Sequence, residues 1–213
     1  MTRRGVFVLA TTCSLSMVVA ASRDNSQDRA RDLLGQLATA ETSDRAADNL
    51  LDLGKSDPGV RKILATSLPQ FIATGPKEGK VWWNSVKLAG ALKIREAIPA
   101  LINWIDFAGS DFTISPGVKP DQYPAAWVLG QMGDPAVPGL ARVLEEPDRP
   151  NRGAPDSRKG LTIYCLRRIN TPAAKKALAK ALPNQTDSRI TEALKQALGT
   201  MPDPKPRVPP ARP

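Results

Sequence analysis

The sequence contains no histidine among its 213 residues, and it has only two cysteines, Cys13 and Cys165. Histidine is the commonest general base near neutral pH and a common metal ligand, so its absence argues against most acid–base enzymes and zinc sites. A disulfide framework or a thiolate metal site also needs more cysteines than this chain offers. We therefore expect no enzymatic activity and no cofactor or metal.

Aromatic residues are also scarce, at 5% of the chain, whereas hydrophobic residues make up 41%. This composition suits thin helical layers packed by alanine and leucine. The formal net charge is +9, or +7 without Arg3 and Arg4. A positive charge attracts acidic proteins, anionic lipids and nucleic acids alike. Because few aromatic side chains are available to stack on bases, we expect no specific nucleic-acid binding.

The stretch 123–144, YPAAWVLGQMGDPAVPGLARVL, contains two helical patterns separated by a turn. Gly133 can end the first helix, Asp134 can cap the second, and Pro135 suits a first helical position. The second half places apolar residues on one helical face: Val137, Leu140, Ala141 and Leu144. The stretch therefore predicts a hairpin of two helices.

The same pattern recurs along the chain. The letters AIPAL at 97–101 match AVPGL at 136–140, 39 residues further on, and Pro172 repeats the turn 37 residues after Pro135. On this D-P-x-V-x-x-L turn and its apolar second helix, the chain resembles HEAT repeats, whose period is about 40–47 residues. The resemblance implies an all-α fold, a superhelix (solenoid) of about four to five helical hairpins. Some proteins with HEAT-like repeats are cofactor-attaching lyases, so an enzyme or enzyme subunit is one alternative.

The ends of the chain differ from this pattern. Residues 1–21 hold Arg3 and Arg4, an apolar run and then small residues, an order typical of a signal peptide cleaved before Ser22. The solenoid would then span 22–200, and the proline-rich segment 201–213 predicts a disordered tail. We expect an exported protein, periplasmic or extracellular. A lipoprotein and a cytoplasmic protein are the alternatives, and membrane contact is expected only if the chain is anchored.

Two connections between hairpins, 106–122 and 147–157, are longer than the roughly 2–8 residues usual between helices. In a solenoid both should lie at the same edge. We hypothesise that they form an apolar patch with a basic rim that binds an acidic or amphipathic protein segment. The residues concerned are Phe112, Ile114, Lys119, Arg149, Arg152 and Arg158. The alternatives are a loop folded over the core and insertions without a role.

Two further positions have predicted environments. Adjacent helical residues point about 100° apart, so we expect one of Trp82 and Trp83 in the core and the other in a groove or on the surface. Cys165 falls on an apolar helical face and should be a small buried residue.

Together these expectations describe a monomeric, non-enzymatic scaffold that binds a protein or peptide. The positive charge favours an acidic partner. Binding of an anionic polymer or membrane surface is a further alternative.

The order of residues in the leader makes export testable. When the full-length protein is expressed in a bacterium that exports it, it should lose about 2 kDa, since roughly twenty residues leave with the leader. Amino-terminal sequencing should then begin at or beside Ser22. A protein that retains Met1 in the soluble cytosolic fraction would contradict this prediction.

Overall fold

The computed structural model of the protein describes residues 13–77, 79–108, 122–147 and 157–201, with side chains from residue 25 onward. Within these ranges the regular structure is entirely helical. The α-helices are α1 (Cys13–Leu37), α2 (Ser43–Ser56), α3 (Pro58–Ala73), α4 (Gly79–Ala91), α5 (Ile98–Asn103), α6 (Pro124–Met132), α7 (Val137–Glu145), α8 (Arg158–Ile169), α9 (Pro172–Ala181) and α10 (Ser188–Thr200). None of the described helices is long and apolar enough to span a bilayer.

The helices form four successive hairpins, α2–α3, α4–α5, α6–α7 and α8–α9. The first helices, α2, α4, α6 and α8, pack side by side in one layer, and the second helices, α3, α5, α7 and α9, form the other. Helix α1 packs against α2 and α3, while α10 packs against α8 and α9. The predicted all-α solenoid is confirmed, with four hairpins in the described residues and one further helix at each end.

Turn chemistry sets where the second helices begin. The Asp57 carboxylate accepts the backbone N–H of Gly59 at 2.7 Å, and the Thr171 hydroxyl accepts that of Ala174 at 3.3 Å. A proline follows each capping residue, at the first helical position, where a missing N–H costs little. At the turn before α7, Gly133 has a φ of 75°, a left-handed conformation that glycine adopts without strain.

Two helix boundaries differ from what the sequence pattern predicts. Apolar spacing over 97–107 predicts one helix of that length, but α5 spans only Ile98–Asn103, because the chain then tightens: Ile105 N–H donates to the carbonyl of Ile102, three residues back. Gly199 follows an apolar helical pattern and so predicts a helix end at that point, yet α10 runs to Thr200. A Cβ at Gly199 would meet no neighbour, so this exposed glycine sits in the last helical turn without a special role.

A single apolar core runs through the stack. It extends from Ala30 of α1 to Met201 after α10. The helical spacing of the apolar residues over 30–37 predicts one buried stripe on α1. In the structure this stripe is fully or almost fully buried, and it comprises Ala30, Leu33, Leu34 and Leu37. In α7 the predicted Leu140 and Leu144 are buried, but Val143 is buried in place of the half-exposed Ala141.

Neighbouring first helices approach closely at three glycines. A Cβ on Gly54 would lie 2.6 Å from Leu92, one on Gly90 would lie 2.9 Å from Val128, and one on Gly130 would lie 2.6 Å from Arg168. In every case the incoming side chain comes from 38 residues further along the chain. The three contacts are therefore copies of one repeat-to-repeat contact, in which glycine makes room for a side chain of the next repeat.

Cys165 of α8 contributes to the same layer. Its thiol lies 3.2 Å from the carbonyl oxygen of Ala126 in α6, and the side chain is fully buried. The prediction of a buried cysteine is confirmed. Burial raises the pKa of the Cys165 thiol far above its ordinary value, so the reactive thiolate hardly forms in the folded protein.

Leu140→Ala tests the core between α7 and its neighbours. Leu140 is fully buried, so its truncation should cost about 2–5 kcal/mol of unfolding free energy out of a typical total of roughly 5–15 kcal/mol. Chemical denaturation of the full-length variant measures the loss. Leu53→Ala, at a half-buried leucine of α2, is the control and should cost less. Equal losses would show that the two sites do not differ in packing.

Cys165 gives a second test. In native buffer, iodoacetamide should leave Cys165 unmodified, whereas in denaturant the alkylation should go to completion because the buried thiol becomes accessible. Peptide mass spectrometry separates this residue from Cys13. Rapid labelling of Cys165 in the folded protein would contradict its place between α6 and α8.

Candidate functional site

Five of the six loop residues predicted to bind a partner cannot be located in the stack. Phe112, Ile114, Lys119, Arg149 and Arg152 lie outside the described residues. The apolar patch that they were expected to form therefore stays a prediction.

Arg158, the sixth residue of that set, is described, and it does not lie on an exposed rim. It opens α8 and is only 8% exposed. Its Nη1 lies 3.8 Å from the carboxylate of the buried Asp106 and donates to the Asn103 carbonyl at 3.5 Å. A buried carboxylate needs a compensating charge, so the side chain of Arg158 turns inward towards Asp106. Arg158 therefore joins α8 to the end of the second hairpin.

One groove in the described part of the chain crosses the layer of first helices. It encloses about 390 Å³ between α2, α4 and α6. Its walls are largely apolar and include Ala47, Leu51, Trp83, Leu88, Trp127 and Val128. Trp83 and Trp127 are only half-buried, so each indole presents part of its surface to the groove.

The position of Trp83 follows from its neighbour. Trp82 is 2% exposed, and its indole N–H donates to the carbonyl of Ile72 at 3.2 Å. The next side chain is rotated by about 100° around the helix and so faces the groove. Lys87, one turn further along α4, places its ammonium 5.9 Å from the centroid of the Trp83 ring. The prediction of one tryptophan in the core and one in a groove is confirmed.

A cation also lies against the ring of Trp127 in α6, at a shorter distance than Lys87 lies from Trp83. The guanidinium carbon of Arg168, on α8, lies 3.7 Å from the centroid of the Trp127 ring. The Nη1 of Arg168 donates to the hydroxyl of Tyr164 at 3.3 Å. The aliphatic stem of Arg168 passes over Gly130, where a Cβ would collide with it. These three contacts hold the arginine against Trp127, a residue that lines the groove.

A polar tie joins α2 and α4 beside the groove. The buried amide of Asn84 donates to the Ser43 hydroxyl at 2.9 Å and to the Asp44 carboxylate at 2.8 Å. The ammonium of Lys80 lies 3.3 Å from the same carboxylate. The hydrogen bond from Asn84, followed by that from Lys80, lowers the pKa of Asp44. Asp44 is thus held ionised, as a structural anion and a poor general acid.

The described residues offer little for catalysis. They contain no group of three or more cysteine and acidic side chains that could hold a metal ion. The described Cys165 is buried with a raised pKa. The absence of enzymatic activity stays a prediction.

A second groove lies in the other layer, between α5 and α7. It encloses about 480 Å³ and is lined by Ile98, Pro99, Ile102 and Pro138, with Arg95 and Arg142 alongside. Its lining has no aromatic side chain. Because buried aromatic anchors dominate the energetics of protein interfaces, the groove with two tryptophans is the stronger candidate for binding.

The distribution of charge is a signal that the sequence analysis missed. Residues 1–156 contain 18 Lys and Arg residues and 18 Asp and Glu residues, so the whole net charge of +9 comes from 157–213. Within the described part of that segment, Arg167, Lys176 and Lys195 are exposed and have no ion pair among the described residues. A count of charges by segment would have located the basic end of the stack.

One comparison with known proteins places this architecture. The family model described as PBS lyase HEAT-like repeat matches residues 122–146, which contain α6, the turn at Gly133 and α7. No curated protein and no solved structure gave a match. The matched hairpin is the unit that the stack repeats, with the same order of first helix, turn and second helix. Residues 122–146 are thus similar to a HEAT-like repeat, in keeping with the all-α stack of hairpins around them.

Proposed function

We propose that the protein is a non-enzymatic binding scaffold that holds a segment of another polypeptide in the groove across α2, α4 and α6. The observation that carries the proposal is the pair of half-buried tryptophans, Trp83 and Trp127, on successive first helices. Tryptophan is among the residues that contribute most to binding at protein interfaces. Two of the four tryptophans therefore leave part of their indole surface uncovered in an open groove. This arrangement favours a role in binding over a role in core packing.

The shape of the groove supports an extended ligand. It crosses three neighbouring helices, as a peptide lying along the stack would. Pro124, the first residue of α6, lines the groove and comes shortly after the segment that carries Phe112 and Ile114. A partner in the groove would therefore lie near the carboxy-terminal end of that segment.

The complete lack of histidine in the sequence supports the non-enzymatic part of the proposal. The leader pattern of residues 1–21 supports export, so we propose that binding takes place in the periplasm or outside the cell. We propose a monomer, in which the groove is available to a different chain. The partner in this proposal is a protein or peptide.

A peptide selection tests the groove. Phage-displayed random dodecapeptides are selected on the full-length protein, and the affinity of the enriched peptides is measured by fluorescence anisotropy. Trp83→Ala should weaken their binding by about tenfold or more, because truncating an interface tryptophan commonly costs that much. The thermal midpoint should change little, since Trp83 is half-buried and Trp82 fills the core.

Phe71→Ala is the matched control, because Phe71 is a half-buried aromatic residue of α3, in the other layer. It should leave peptide affinity unchanged. If no peptide is enriched, or if the enriched peptides bind Trp83→Ala as tightly as the wild type, the groove is not the binding site and the proposal fails.

A further inference from the structure

Arg168 differs from its counterparts in the repeat. At the equivalent glycine contacts, the incoming residues Leu92 and Val128 are aliphatic and nearly fully buried. Arg168 uses its aliphatic stem for the same contact, against Gly130, but its charged end continues to the Trp127 ring and is exposed. The repeat contact thus places a cation against Trp127, one of the residues that line the apolar groove.

The guanidinium is already held in place. It lies over the Trp127 ring at 3.7 Å, a favourable cation–π arrangement, and it donates one hydrogen bond to Tyr164. Arginine has five N–H donors, so several are left for a ligand. No ion pair joins Arg168 to a carboxylate in the part of the chain that the structure describes. The arginine side chain therefore loses little conformational entropy when it binds an anion, because its contacts with Trp127, Tyr164 and Gly130 already restrict it.

The surroundings favour an acidic ligand at this end of the groove. Arg168 lies in the segment 157–213, which carries the whole net charge of +9. The opposite wall of the groove, formed by α2, contributes Asp48. A ligand lying across the groove therefore meets the positive charge of Arg168 beside Trp127, that of Lys87 on α4 and the carboxylate of Asp48 on α2. Arginine also binds carboxylates through paired hydrogen bonds from its planar fork.

We propose that Arg168 binds a side-chain carboxylate of the partner, so that the bound segment carries Asp or Glu next to the apolar residue that contacts Trp127. This inference rests on the proposed function of the groove. It adds the chemistry and direction of the ligand: the acidic residue lies towards α8 and the apolar residues lie towards α4 and α2.

The peptides enriched on the full-length protein give the first test. They should share Asp or Glu at a fixed distance from an aliphatic or aromatic residue. Replacing that acid by its amide should weaken binding to the wild type by about tenfold or more, because hydrogen bonds to charged groups are among the stronger ones. The same replacement should have little effect on binding to Arg168→Gln, since the acid has then lost its partner.

Two further variants separate Arg168 from general electrostatics. Arg167→Gln removes the same charge from the neighbouring residue, which lies near Thr200 and Met201 and away from the groove. It should cost much less affinity than Arg168→Gln. Gly130→Ala keeps every charge, but its Cβ would stand 2.6 Å from Arg168 Cδ and displace the stem. It should weaken the acidic peptides while leaving their amide versions unaffected.

The outcomes distinguish this inference from the proposed function. If the peptides need Trp83 but are indifferent to the acid-to-amide change, or if Arg167→Gln and Arg168→Gln cost the same, the assignment of Arg168 is overturned and the groove remains a binding site. If only phosphoserine versions bind, the ligand group is a phosphate and the assignment of a carboxylate is overturned. If Trp83→Ala has no effect, both proposals fail. Melting curves of the variants confirm that each is folded.

Discussion

The close approach of neighbouring first helices is the constraint on which the rest of the stack depends. A two-helix hairpin of this size cannot bury its apolar side alone, so each one must pack against the next. Gly54, Gly90 and Gly130 allow this packing, because each leaves the space that one side chain of the following repeat fills. The constant separation of 38 residues keeps the same geometry from repeat to repeat. A larger residue at any of these positions would displace the side chain that comes from the following repeat.

The groove is a consequence of the same layer. Packing at the glycines brings α2, α4 and α6 together on the core side, while residues on their other side stay partly open. Trp82 and Trp83 show this division within one helix turn, since the first fills the core and the second faces the groove. Trp127 lies one repeat further on and receives Arg168 from the repeat after that. The candidate site therefore draws on four hairpins, three that line the groove and a fourth that supplies Arg168, and a lone hairpin would not form it.

Local sequence patterns were sufficient for the hairpins, since caps, prolines and apolar spacing act within about ten residues. They predicted the buried stripe of α1, the buried Cys165 and the divided roles of Trp82 and Trp83. Local patterns could not predict contacts between residues that are far apart in the sequence. The burial of Arg158 depends on Asp106, 52 residues earlier in the chain, and no local pattern indicates that these two charges meet. The groove likewise depends on the stacking of residues from separate repeats.

The linear order of the packing also sets how the molecule comes apart. Each first helix touches only its neighbours in the layer, so α10 can detach from α8 without disturbing α2 or α4. Protection of backbone amides from hydrogen exchange in such arrays is greatest in the middle and declines towards both termini. Helices α4 and α6, which carry both groove tryptophans, lie in the middle of the described stack, whereas α8 packs next to its last described helix, α10. We therefore expect the contacts of Trp83 to outlast those of Arg168 when the stack opens locally.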